Sequence, residues 1–61
     1  MKDTEFIGMK REDAEAICRE KQIEFRVLRV DDEKFLGTTD LNFNRLNFQI
    51  DAGYITKASY G

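Results

Sequence analysis

Two strand-like segments, Glu24–Val30 and Arg45–Asp51, are separated by the fourteen residues Asp31–Asn44. That interval constrains the fold more than any other feature of the chain. A tight hairpin needs about two to five connecting residues. A crossover between parallel strands needs about a dozen or more. The two segments are therefore expected as parallel neighbours. Arg45–Asp51 alternates cleanly, with Leu46, Phe48 and Ile50 facing one way and Arg45, Asn47, Gln49 and Asp51 the other. Glu24–Val30 carries apolar residues on both faces, the mark of a more buried strand. Ala52-Gly53 turns the chain into a last strand around Tyr54–Tyr60.

Ahead of the strands, Arg11 to about Gln22 reads as a helix. Ala14, Ile17, Cys18 and Lys21 share one face at i, i+3, i+4, i+7 spacing. Glu12 and Asp13 in the first turn and Lys21 in the last suit the helix dipole. Lys10 occupies the capping position, where Ser or Thr would serve better. Phe6, Ile7 and Met9 around Gly8 form an apolar lead-in. The expected fold is α+β and a single domain, 1–61. One α-helix packs on a small mixed β-sheet with a parallel central strand pair and an exposed long loop.

Sixty-one residues lie near the lower limit for a domain folding without a metal or disulfides. Cys18 is the sole cysteine and there is no histidine. An internal disulfide is impossible, and a zinc site built from several Cys and His ligands cannot be assembled. The same inventory removes the Ser-His and Cys-His couples of nucleophilic catalysis. Carboxylates and lysines need a cleft to shift their pKa values, and a chain this short rarely closes one. A binding protein, not an enzyme, and one without cofactors, is expected.

Ten basic and twelve acidic residues give a net charge of −2, with bases and acids interleaved. That is an ordinary solvated surface and does not suggest nucleic acid as a partner. No apolar run approaches ~18 residues, so no membrane partner is expected. The chain is expected to be monomeric. It is expected in the cytoplasm if Met1 is its natural start; a secreted mature form with an added Met would read the same way.

Loops as long as Asp31–Asn44 without internal structure are usually functional or disordered. Arg45 and Asn47 share one side of the following strand, at its beginning, and can hydrogen-bond a loop arching over that end. Asp40 offers a charge that the planar fork of Arg45 can grip, and Thr38 offers a hydroxyl. Thr39 then lies between two anchored neighbours with its side chain free. An extended, exposed segment held from below is what a protease accepts as substrate, and holding it rigid lowers the entropy cost of binding. Alternatively, Thr38-Thr39-Asp40 is a polar loop tip and Arg45 a solvated strand-end arginine.

The run Thr38-Thr39-Asp40-Leu41-Asn42-Phe43-Asn44-Arg45-Leu46-Asn47 resembles the reactive-site segment of the potato inhibitor I family of serine protease inhibitors. Glu5-Phe6-Ile7-Gly8 followed by Glu12-Asp13-Ala14 resembles the family's start, and Gly61 its end. Phe25 to Glu33 is similar to the small bacterial peptidase inhibitors of the same superfamily. The resemblance runs from about Glu5 to Gly61. It implies a protease-binding loop of Gly37, Thr38, Thr39, Asp40, Leu41 and Asn42, with Thr39-Asp40 as the scissile bond. It also implies loop support from Arg45, Asn47 and the carboxylate of Gly61. The implied partner is a serine protease. Thr39 is small and β-branched where the family commonly has a large apolar residue, which points to a subtilisin- or elastase-like target. Gly37 replaces an apolar residue, and Asn47 stands where plant and leech members carry a second arginine. The alternative is a non-inhibitory interaction module on the same scaffold, binding another partner through the loop or a sheet edge.

Other residues read structurally. Cys18 is expected in the core. Asp31-Asp32-Glu33 is expected as a solvated strand exit, because its spacing is not that of a calcium loop. Phe35 and Leu36 either tuck under the loop or form a contact patch. Phe43 is expected in the core, and Tyr54 and Tyr60 are expected to pack across the last strand.

Overall fold

The structure, a computed structural model, describes residues 2–35 and 42–61. A short 3-10 helix, Asp3–Phe6, precedes the single α-helix α1, Arg11–Glu20. Four strands follow: β1 Phe25–Val30, β2 Glu33–Lys34, β3 Leu46–Asp51 and β4 Tyr54–Tyr60. They form one sheet in the order β2-β1-β3-β4. The central pair β1 and β3 is parallel, and both outer pairings are antiparallel. The fold is α+β, with one helix packed on a mixed sheet around a parallel pair.

Leu46, Phe48 and Ile50 point from β3 into the core, as the alternation requires, and meet Phe6, Ala14, Cys18 and Ile55. Phe48 sits between Phe6 and Phe25, with ring centroids 5.3 and 5.9 Å away. Each such large side chain contributes about 1.5–3 kcal/mol on burial. The core is too small to lose one cheaply. Ala14 and Cys18 are the two helix positions fully inside it. Burial and the charge of Glu15 push the Cys18 thiol up, so it stays protonated at neutral pH.

The lead-in closes the core from below β4. Gly8 N–H donates to the Ile55 carbonyl at 2.8 Å, and Ile55 N–H to the Met9 carbonyl at 2.8 Å. These bonds occupy part of the outer edge of β4, which would otherwise be open to pairing. The 3-10 turn that carries Phe6 inward leaves no periodic trace in a four-residue segment.

Several expectations are corrected. The connection Asp31–Asn44 is not free of internal structure: Asp31, at φ 52°, turns the chain back so that Val30 faces Glu33 and Arg29 faces Lys34. A two-residue strand of opposite charges carries no alternation to read. Asp31, Asp32 and Glu33 are exposed at the exit of β1, as expected, and Asp31 Oδ1 also accepts the Ala52 N–H at 2.8 Å. The helix ends at Glu20, not near Gln22. Gln22, at φ 58°, takes the left-handed position that ends a Schellman motif: Ile23 N–H bonds to the Cys18 carbonyl at 2.8 Å and Gln22 N–H to the Arg19 carbonyl at 3.3 Å. Phe43 is 74% exposed rather than in the core, because it lies in the turn before β3, where the alternation has not begun. Tyr54 and Tyr60 are substantially exposed, since only Ile55 of β4 is fully buried. Phe35 is about half exposed. Ala52 and Gly53, at φ 53° and 83°, form the two-residue turn between β3 and β4 with both residues left-handed, as a type I′ hairpin turn demands.

Candidate functional site

Because β1 and β3 run the same way, both strands begin at one pole of the sheet. The chain returns to that pole through Asn42. Its side chain Nδ2 donates to Glu24 Oε2 at 3.0 Å, and its Oδ1 accepts the Asn44 N–H at 3.1 Å. Its carbonyl accepts the Arg45 N–H at 3.0 Å, closing a turn. Leu46 N–H then bonds to the Glu24 carbonyl at 2.8 Å and starts the parallel ladder. Asn42, expected in the protease-binding loop, thus fastens the end of the connection to the start of β1. Gly37, Thr38, Thr39, Asp40 and Leu41 lie outside the described residues, as does Leu36.

The three expected supports come together. Arg45 and Asn47 are 8% and 6% exposed although they share the polar side of β3, away from the helix. Asn47 Nδ2 donates to the main-chain oxygen of Gly61 at 2.8 Å, and Arg45 Nη2 reaches the same oxygen at 3.4 Å. Gly61 N–H donates to the Arg45 carbonyl at 3.0 Å, extending the β3–β4 pairing by one step. Gly61 stands at φ 153°, a backbone setting that disfavours side chains. A buried guanidinium is costly unless its donors are satisfied.

Arg26 belongs to the same cluster and was missing from the sequence-based set. It is the register partner of Asn47, and its Nε donates to Asn47 Oδ1. The amide of Asn47 therefore bridges β1 to the end of β4. Only the parallel register, not the spacing along the chain, identifies Arg26.

The opposite pole carries a second polar cluster. Arg29 grips Asp51 with both ends of its fork, Nη1 to Oδ1 and Nη2 to Oδ2, each at 2.7 Å. Thr56 Oγ1 donates to Asp51 Oδ2 at 2.7 Å. The Arg29 bonds first, then that of Thr56, hold the Asp51 carboxyl down to about 2. Arg29 also donates through Nε to Gln49 Oε1 at 3.2 Å and through Nη1 to the Asp31 carbonyl. These bonds tie the ends of β1 and β3 to each other, to the turn at Asp31 and to Thr56 of β4.

Among the described residues no group of three or more Cys, Asp or Glu side chains is placed to hold a metal. Among the described residues no helix is long and apolar enough to cross a membrane, which says nothing of strands. Comparison with protein-family models, with curated proteins and with solved structures returns no match.

Proposed function

We propose that the protein inhibits a serine protease by presenting residues 37–42 as a substrate-like segment, with Thr39-Asp40 as the bond offered to the enzyme. The observation that carries this reading is the buried cluster of Arg45, Asn47 and Gly61 at the start of β3, joined by Arg26. A cation and an amide are buried there at the cost of their hydration, immediately after the connection. That arrangement suits a support for chain at that pole. Asn42 adds to it by pinning the exit of the segment to Glu24. Phe43, largely exposed beside it, extends the apolar surface that a partner would cover. The inhibitor does no chemistry of its own; the enzyme supplies nucleophile and oxyanion hole. Thr39 suits a shallow specificity pocket, so subtilisin- and elastase-like enzymes are the targets this reading favours.

The test is incubation of the purified protein with a panel of serine proteases. The expected result is a stable one-to-one complex with at least one subtilisin- or elastase-like enzyme and slow cleavage confined to Thr39-Asp40. Rapid digestion by every enzyme, or no inhibition of any, would overturn the proposal.

A further inference from the structure

The sheet face turned away from α1 carries a feature that protease inhibition does not use. The strand registers place Lys34 of β2 opposite Arg29 of β1, Arg29 beside Gln49 of β3, and Gln49 opposite Lys57 of β4. Partners in register share a face, so these four side chains form one row across the whole sheet. With strands about 4.8 Å apart, the row is about 14 Å long. Three of its four members are cations, and Arg26 lies one step away on β1. Like charges directly opposite, as Lys34 and Arg29 are, oppose strand pairing. The row lines a shallow cleft of about 620 Å³ whose apolar part comes from Leu28 and Phe35. Leu28 is the extra residue at the bulge between Val27 and Arg29, and Phe35 is 47% exposed.

The counter-charge offsets Arg29 and leaves Lys34 and Lys57 as the row's cations open to a partner. Asp51 is engaged by Arg29 and Thr56. Asp31 and Asp32 lie near Arg29. Lys34 and Lys57 are exposed, and neither has an ion pair among the described residues. A chain of net charge −2 thus presents a local cationic stripe beside an apolar floor.

We propose that this face is a second binding surface, taking an acidic peptide segment of a protein partner that carries one aromatic or aliphatic anchor. The anchor fills the cleft at Leu28 and Phe35, and carboxylates that follow it meet Lys34 and Lys57. An extended peptide advances about 3.3 Å per residue, so four or five residues span the row. Charge complementarity selects acidic over basic partners. The apolar floor and the overall negative charge disfavour nucleic acid, whose binders are strongly basic. The surface is independent of residues 37–42, so it stands whether or not a protease is inhibited.

The test uses the full chain and a fluorescein-labelled twelve-residue peptide with one Phe followed by alternating Glu and Asp, read by anisotropy at low salt. The comparison probes are the same peptide with Lys for each acid and a twelve-nucleotide single-stranded DNA. Saturable binding is expected for the acidic peptide alone, weakened at least tenfold in K34E/K57E and at least threefold in Phe35→Ser. All three substituted side chains are exposed, and a cooperative thermal transition well above the assay temperature in each variant checks the fold. Absence of saturable binding at millimolar protein, unchanged affinity in K34E/K57E, or tighter binding of the DNA would each overturn the proposal.

Discussion

Replacing Asn47 by Ala tests whether the pole at the start of β3 is a support or a set of incidental contacts. The wild-type amide accepts from Arg26 Nε and donates to the Gly61 oxygen at 2.8 Å, with a longer approach of 3.4 Å to the Ser59 carbonyl. A hydrogen bond to a charged group contributes about 1.5–3 kcal/mol and a neutral one about 0.5–1.5. Arg26 is only partly buried and regains some hydration when its partner is lost. The Gly61 oxygen keeps Arg45 Nη2 at 3.4 Å. Allowing for both recoveries, Asn47→Ala should cost about 2–3 kcal/mol. A domain of this size holds about 3–5 kcal/mol in all, so more than half its margin is at stake. With an m-value near 1 kcal/mol/M in urea, the midpoint should fall by about 2–3 M. Coupling to Arg26→Ala in a double-mutant cycle should be at least about 0.5 kcal/mol, since the two residues share one bond. A midpoint drop under about 0.5 M at equal m-value, with no coupling to Arg26, would refute the support.

Other outcomes follow from the same geometry. Gln22→Gly should stabilise the protein by about 1 kcal/mol, because glycine takes the left-handed position after the helix without the Cβ clash; the thermal midpoint should rise by about 4–8 °C. Lys10 caps the helix with no side-chain bond, so Lys10→Ser should add about 0.5–1 kcal/mol, read as a higher denaturant midpoint. The Asp51 carboxyl is held down to about 2 when folded, below its ordinary value near 4 when unfolded. Its contribution is therefore full above about pH 4 and is lost as pH falls through about 2. Asp51→Asn should flatten the stability profile across that window, measured by urea titration at each pH. If residues 37–42 enter a protease, Thr39→Leu should change inhibition of enzymes with deep pockets by about 1–3 kcal/mol; equal inhibition constants across several such enzymes would remove Thr39 from the site.

The parts legible in the sequence are those set by period and length. Strict alternation identified the core face of β3, because one buried face leaves no freedom in register. The length of the connection identified the parallel pair, because loop geometry admits few other solutions. Ala14 and Cys18 followed from helical spacing. What escaped rests on pairings across strands or on local backbone that the residue types do not signal. The Arg26–Asn47 bond exists only once β1 and β3 are in register. The two-residue β2 carries no pattern of its own. Gln22 and Asp31 adopt left-handed backbone where glycine or asparagine would have announced a corner. Arg45 and Asn47 were correctly placed on the polar side of β3, but side-chain chemistry gave no hint that this side is buried there.

The two polar clusters explain how one helix can suffice for a sheet with two faces. The helix and the 3-10 turn cover only the apolar face, and among the described residues no second helix covers the other. On that face, side chains are joined across strands by hydrogen bonds instead of packed as hydrocarbon. Asn47 binds β1 to the end of β4, and Arg29 binds β1 to the end of β3 and to the turn at Asp31. Each guanidinium fork spans more than one strand, which a short aliphatic side chain cannot do. The consequence is directional. A bidentate pair holds one pole and single hydrogen bonds the other, while the middle of the face, at Gln49 and Leu28, is left as an open cleft between them. A hydrophobic second layer would have filled that middle and hidden both strand ends. The polar solution leaves one pole to hold the connection that ends at Asn42, and leaves the centre of the sheet accessible to a second partner.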